Sequence, residues 1–102
     1  MSIARPMAPM CLVRLTYVAP IDAVDALRGA HVRWIEQAIE EGVMVLAGRI
    51  ADATGGILLL RGQPELVEPF ARTDPFVTGG VATLEVTPFT ASLAAAGLDG
   101  VL

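Results

Sequence analysis

Few side chains in this sequence can move a proton or attack a carbon. There is one histidine, His31, and one cysteine, Cys11, and all seven basic residues are arginines. His31 is the most informative of them. It stands four residues after Leu27 and three before Trp34, on the apolar stripe of a helix where leucine would be the ordinary choice. A buried imidazole must satisfy two ring nitrogens or lose about 1–3 kcal/mol for one left unpaired. Two readings are open: a core histidine bonded to a backbone carbonyl, or an inward-facing general acid or base. Asp74 is the second candidate. Before Pro75 it reads as a turn or cap aspartate. Beside His31 it would accept one ring N–H, fix the tautomer and balance an imidazolium charge. The other ring nitrogen would then face a pocket walled by Phe76, with Tyr17 supplying a hydroxyl. Tyr17 reads equally well as a core tyrosine with its tip in solvent.

Other chemistries lack their residues. Cys11 lies in an apolar strand and reads as a buried, inert thiol. One histidine and one cysteine argue against a structural zinc site. Gly55-Gly56 lacks the surroundings of a phosphate loop and reads as a turn. Ser2 and Ser92 have no nucleophile-elbow motif around them. No nucleotide fingerprint is present, and no cofactor is expected. Glu36, Glu40 and Glu41 read as a solvated helix face. The net charge is −4 and the arginines are dispersed, which argues against a nucleic-acid surface. A spanning helix needs about 20 apolar residues in a row. The longest uncharged run, Val86 to Leu98, falls short of that and contains Pro88. No membrane partner is therefore expected. The start of the chain fits a signal peptide poorly, so the reading is a cytoplasmic protein with a small-molecule ligand.

The elements that must position His31 and Asp74 follow from periodicity. Met10 to Val18 alternates as a strand, with Cys11, Val13, Leu15 and Tyr17 on its apolar face. Asp22 is the expected N-cap of a long helix. Val24, Leu27, His31, Trp34, Ile35, Ala38 and Ile39 form its stripe, Arg28 and Arg33 fall largely away from it, and Gly42 ends it. Gly29 inside the helix is either a close approach to the sheet or incidental. Val43 to Ala47 and Ile57 to Leu60 are strands apolar on both faces, joined as a hairpin. Pro64 opens a second helix to about Arg72, with a kink or early end at Pro69. Asp74-Pro75-Phe76 is expected in a loop, and Val81 to Thr87 is the last strand.

The order β-α-β-β-α-β predicts an α+β, ferredoxin-like domain: a four-stranded antiparallel sheet with two helices on one face. Residues 1–9 read as a loose arm, 10–90 as the domain, and 91–102 as an alanine-rich tail able to form a short helix. Apolar residues make up 54% of the chain, above the roughly 45–50% usual for soluble chains. The sheet face without helices would be bare in a monomer, so a homodimer through that face is expected.

The chain resembles the YCII-related family, small dimeric α+β-barrel proteins. The likeness rests on Leu15-Thr16-Tyr17, Ala30-His31, Leu46-Ala47-Gly48, Gly55-Gly56-Ile57, Asp74-Pro75-Phe76-Val77 and Glu85-Val86. It spans about Met10 to Phe89. The resemblance implies that His31 and Asp74 are the candidate active-site pair. The family often carries a proline where this chain has Arg49, which alters the pocket edge. Arg49 either binds an anionic substrate or points to solvent. Fold relatives include isomerases, dehalogenases and cofactor-free monooxygenases acting on small ring compounds, an analogy of fold alone.

Two functions are therefore weighed. One is a small cofactor-independent enzyme in which His31 moves a proton on a cyclic or carbonyl-bearing molecule, in an elimination or isomerisation, while Asp74 orients it and Tyr17, Phe76 and Arg49 hold the substrate. The other is a non-catalytic, dimeric binding or assembly module. In a third and blander case the pair only braces the fold. His31→Leu would then be tolerated, provided that Asp74 can reach water.

Overall fold

The computed structural model describes residues 2–102. Its central sheet contains β2 (Ala8–Tyr17), β3 (Met44–Arg49), β4 (Gly55–Arg61) and β5 (Ala82–Ala91), in the order β3-β4-β2-β5 with every pairing antiparallel. Helices α1 (Ile21–Glu40) and α2 (Pro64–Ala71) are the two connections of the expected βαββαβ order. The fold class is thus the ferredoxin-like one that the alternation of patterns predicts.

Alternation along β2 shows which face is covered. Cys11, Val13 and Leu15 are buried, whereas Leu12, Arg14 and Thr16 are exposed. The buried set joins Val24 and Ala38 of α1, Val67 and Ala71 of α2, and Leu58 and Leu60 of β4 in one core. On the open face, register places Leu46, Leu59, Leu12 and Thr87 in a row across the four strands.

Several boundaries differ from expectation for identifiable reasons. The N-cap of α1 is Pro20, not Asp22. The Pro20 carbonyl accepts the Ala23 and Val24 N–H groups, and Asp22 instead places its charge in the first turn. Gly42, at φ +77°, follows the helix as the pattern requires. Gly29 is exposed, and a Cβ there would meet only the Arg33 side chain, so no close approach to the sheet explains it. Strand β5 runs past Pro88 to Ala91, because it is an edge strand and proline's missing donor costs no ladder bond there. The DPF segment is not a loop. Pro75–Thr78 forms a one-turn helix, α3, with Asp74 as its N-cap.

Both chain ends carry short strands. Ile3–Ala4 (β1) pairs antiparallel with Ala94–Ala95 (β6), and a 3-10 turn covers Ala96–Leu98. The arm and tail expected on either side of the domain thus meet in a two-stranded ribbon. Met1 of that arm lies outside the described residues.

Candidate active site

Three elements meet at His31. Helix α1 carries it on its inner face, where it is 8% exposed. Helix α3 packs against α1 and brings Asp74, which is fully buried. The approach requires Gly79, where a Cβ would lie 2.4 Å from Leu27 Cδ1 and 2.8 Å from the Pro75 carbonyl oxygen. Strand β2 ends at Tyr17, the third contributor.

The His31 Nδ1 to Asp74 Oδ1 distance is 2.7 Å, inside the protein. The same carboxylate oxygen accepts the Phe76 N–H at 2.9 Å. Oδ2 is buried without a partner among the described residues. A carboxylate in this position accepts the Nδ1–H, which sets the imidazole tautomer and leaves Nε2 as the free nitrogen. Nε2 makes no hydrogen bond to the described residues and is not sealed off, and the ring lines a cavity. Phe76 fixes the plane of the imidazole. The two rings stack with centroids 3.8 Å apart and planes 11° from parallel, and Tyr17 meets Phe76 edge-on at 5.8 Å. Each part of the DPF segment acts here: Asp74 binds the ring, Pro75 starts the helix without wasting a donor, and Phe76 stacks on the ring.

The cavity measures about 250 Å³. His31, Phe76, Tyr17 and Arg49 all border it, so four of the five residues singled out in the sequence line one space and the fifth, Asp74, lies behind the imidazole. Ala47, Gly48 and Gly56 supply side-chain-poor wall on the sheet side. The sequence pattern missed Arg28. It was set away from the apolar stripe, yet its guanidinium reaches the cavity and its Cζ lies 5.7 Å from the Phe76 ring centroid. The available signal was spacing: a residue three before His31 borders the same helix face. Burial works against the Arg28 charge. Hydrogen bonding from the guanidinium to Asp25 and Tyr17 outweighs it and pushes the group above the usual arginine range.

Cys11 is fully buried, with Sγ 3.5 Å from the Gly62 carbonyl oxygen. Burial, then the charge of Glu65, pushes the thiol up from its ordinary range. Among the described residues no group of three His, Cys, Asp or Glu side chains is placed to hold a metal ion.

An antiparallel α+β sandwich with a buried His–Asp pair at the wall of a small cavity defines the class: a one-domain α+β protein with a ligand-sized site between its long helix and sheet. The chain belongs to the YCII-related domain family, whose model matches residues 10–90. No curated protein matches the sequence. Among solved structures, the chain is similar to 5-chloro-2-hydroxyhydroquinone dehydrochlorinase from Burkholderia phenoliruptrix, determined in complex with 2,5-dihydroxybenzoquinone. The TM-score is 0.64 at 17% identity, covering 79% of this chain and 92% of that one. At that identity the likeness establishes the shared fold. Among the described residues no helix is long and apolar enough to cross a membrane.

Proposed function

We propose that this protein is a small cofactor-independent enzyme that moves a proton on a small cyclic or carbonyl-bearing molecule, with His31 as general acid and base and Asp74 as its orienting partner. The observation that carries the reading is the buried 2.7 Å contact of His31 Nδ1 with Asp74, which commits one nitrogen and leaves Nε2 for the cavity. In an elimination, Nε2 takes a proton from a carbon or hydroxyl of the substrate. The freed electron pair forms a C=C or C=O bond, and the leaving group departs with its own pair. In an isomerisation the same proton returns at another carbon. Asp74 holds the imidazolium formed in between, the division of labour expected of a base and its orienter. The structural neighbour, a dehydrochlorinase bound to a dihydroxylated quinone, supports a small ring as substrate.

The exposed sheet face supports the expected homodimer. Leu12 and Leu46 lie exposed in the cross-strand row that also holds Leu59. A second copy packing sheet to sheet would cover this row.

The test is turnover followed by proton NMR in D₂O, with small cyclic enols, ketones and halogenated quinols as substrates. His31→Gln is expected to lower the rate by at least about 10²-fold, the usual loss on removing a general base, while circular dichroism stays native. Wild-type protein inert towards the whole panel, yet binding its members, would favour the non-catalytic module instead.

A further inference from the structure

We propose that the cavity selects a small ring compound bearing an anionic oxygen, and that Arg28 and Arg49 are the residues that recognise it. The inference rests on the proton-transfer reading of His31 and names the substrate class for that site. Its basis is the charge inventory of the wall. Among the described residues the charged side chains bordering the cavity are both arginines and no carboxylate borders it, although the whole chain carries a net charge of −4. Asp74 is shut behind the imidazole. Asp25 binds Nε and Nη2 of Arg28 through one oxygen, at 3.1 and 2.9 Å, and its own side chain is 58% exposed. The guanidinium also interacts with Tyr17, which borders the same cavity, so an anion seated there meets the arginine and the phenol together.

The two guanidinium groups come from independent elements. Arg28 is on α1, one turn before His31. Arg49 ends β3 on the sheet side, opposite Gly56 in the β3–β4 register, and forms no ion pair among the described residues. Two separate parts of the fold therefore deliver positive charge to one small space that also holds a candidate base. At about 250 Å³ the space exceeds the roughly 150 Å³ apolar cavity that is enough to hold benzene, so a single six-membered ring with its substituents fits. Leu15, Leu58 and Phe76 give such a ring apolar walls. The placement also suits the chemistry. Taking a proton from a ring ketone or quinol puts negative charge on the substrate oxygen, and fixed cations at the wall stabilise that charge as it develops.

The experiment measures binding of three flat probes of similar size by calorimetry and amide NMR shifts: benzoate, 2,5-dihydroxybenzoquinone in its ionised enolate form, and neutral benzamide. Wild type is expected to bind at least one anion about tenfold or more tighter than benzamide, as charge-assisted hydrogen bonds require. The tighter anion tells whether a carboxylate or an enolate oxygen is the preferred group. Arg28→Gln and Arg49→Gln are each expected to lose about tenfold for that anion and little for benzamide, whereas Arg33→Gln, the same charge change away from the cavity, leaves binding intact. Equal affinity for all three probes, equal losses in Arg33→Gln, or no binding at millimolar concentration would overturn the inference. The proton-transfer reading is judged separately. Anion binding as expected, with turnover unchanged in His31→Gln, sinks the reading of His31 and leaves the anion site standing. The reverse pattern sinks only the anion site.

Discussion

Replacing His31 with leucine probes the energetics of the site most directly. Leucine suits an apolar helix stripe, so a packing argument alone predicts a neutral or stabilising change. The structure argues otherwise, because Asp74 is fully buried and cannot turn to water. Removing the imidazole leaves its carboxylate with one donor, the Phe76 N–H, and with Oδ2 still unpartnered. Removing one member of a buried pair costs about 3–5 kcal/mol, and losing the ring stacked on Phe76 adds roughly 0.5–1.5 kcal/mol. The apolar burial gained by leucine offsets part of this, leaving an expected loss of about 3 kcal/mol. At about 4–8 °C per kcal/mol for a domain of this size, the melting temperature falls by roughly 12–24 °C. Asp74→Asn is expected to relieve the penalty, because an amide keeps an oxygen for the Phe76 N–H without the buried charge. The double variant His31→Leu with Asp74→Asn is therefore more stable than the sum of the two single changes by at least about 1.5 kcal/mol. Urea unfolding at fixed protomer concentration, followed by circular dichroism and by the fluorescence of Trp34, the single tryptophan, measures all four corners of the cycle. A His31→Leu loss within about 0.5 kcal/mol of zero, or additive single changes, would refute the claim that the pair is closed and coupled.

Other outcomes follow from the same geometry. Ala47 pairs with buried Leu58 on the covered face of the sheet and borders the cavity, so Ala47→Leu is expected to fill part of the cavity and weaken ligand binding by at least about tenfold in calorimetry. Leu12→Glu in the open sheet face is expected to convert a dimer to a monomer in sedimentation velocity, and an unchanged sedimentation coefficient would refute that interface. The Cys11 thiol is raised by burial and by Glu65, so it stabilises the fold below the ordinary thiol range and loses that contribution as pH rises towards its raised folded value. Alkylation by iodoacetamide at mildly alkaline pH is expected to track global unfolding rather than proceed in the native state. The Asp52 carboxylate is held below the usual aspartate range by the Thr54 hydroxyl and N–H. Its contribution is present above that range and is lost as pH falls through the lowered value, so Asp52→Asn is expected to flatten part of the acid-side decline in urea midpoints.

Long periodic segments and side chains out of character with them were legible in the sequence. The α1 stripe exposed His31 because a histidine interrupted a run of apolar positions, and Asp-Pro-Phe stood out as a motif. Short or tertiary features were not legible. A four-residue helix such as α3 is too short for any periodicity. The Ile3–Ala4 and Ala94–Ala95 strands exist only because the two chain ends meet, and alanine's helix preference is overridden in that pairing. The extension of β5 past Pro88 depends on its being an edge strand, which is a property of sheet order rather than of local sequence. Arg28 was hidden because a long side chain can start on the polar side of a helix and carry its charge around to the apolar one.

The double duty of Asp74 binds the fold to the site. One carboxylate oxygen caps α3 and holds the imidazole, so α3 cannot loosen without freeing His31. A bracing role and an orienting role are therefore not rival descriptions of the contact; the first is the means by which the second is made rigid. It follows that stability alone can never decide whether the pair is catalytic. The deciding readout is the tautomer. In wild type, ¹⁵N NMR of the single histidine must report Nδ1–H with Nε2 bare whenever the ring is neutral. In Asp74→Asn that position holds either the amide oxygen, which keeps the cap and the Nδ1–H tautomer, or the NH₂, which donates to Nδ1 and gives up the cap, so the population is expected to become mixed. A proton-transfer site loses rate in step with that mixing, whereas a brace or a binding module is indifferent to it.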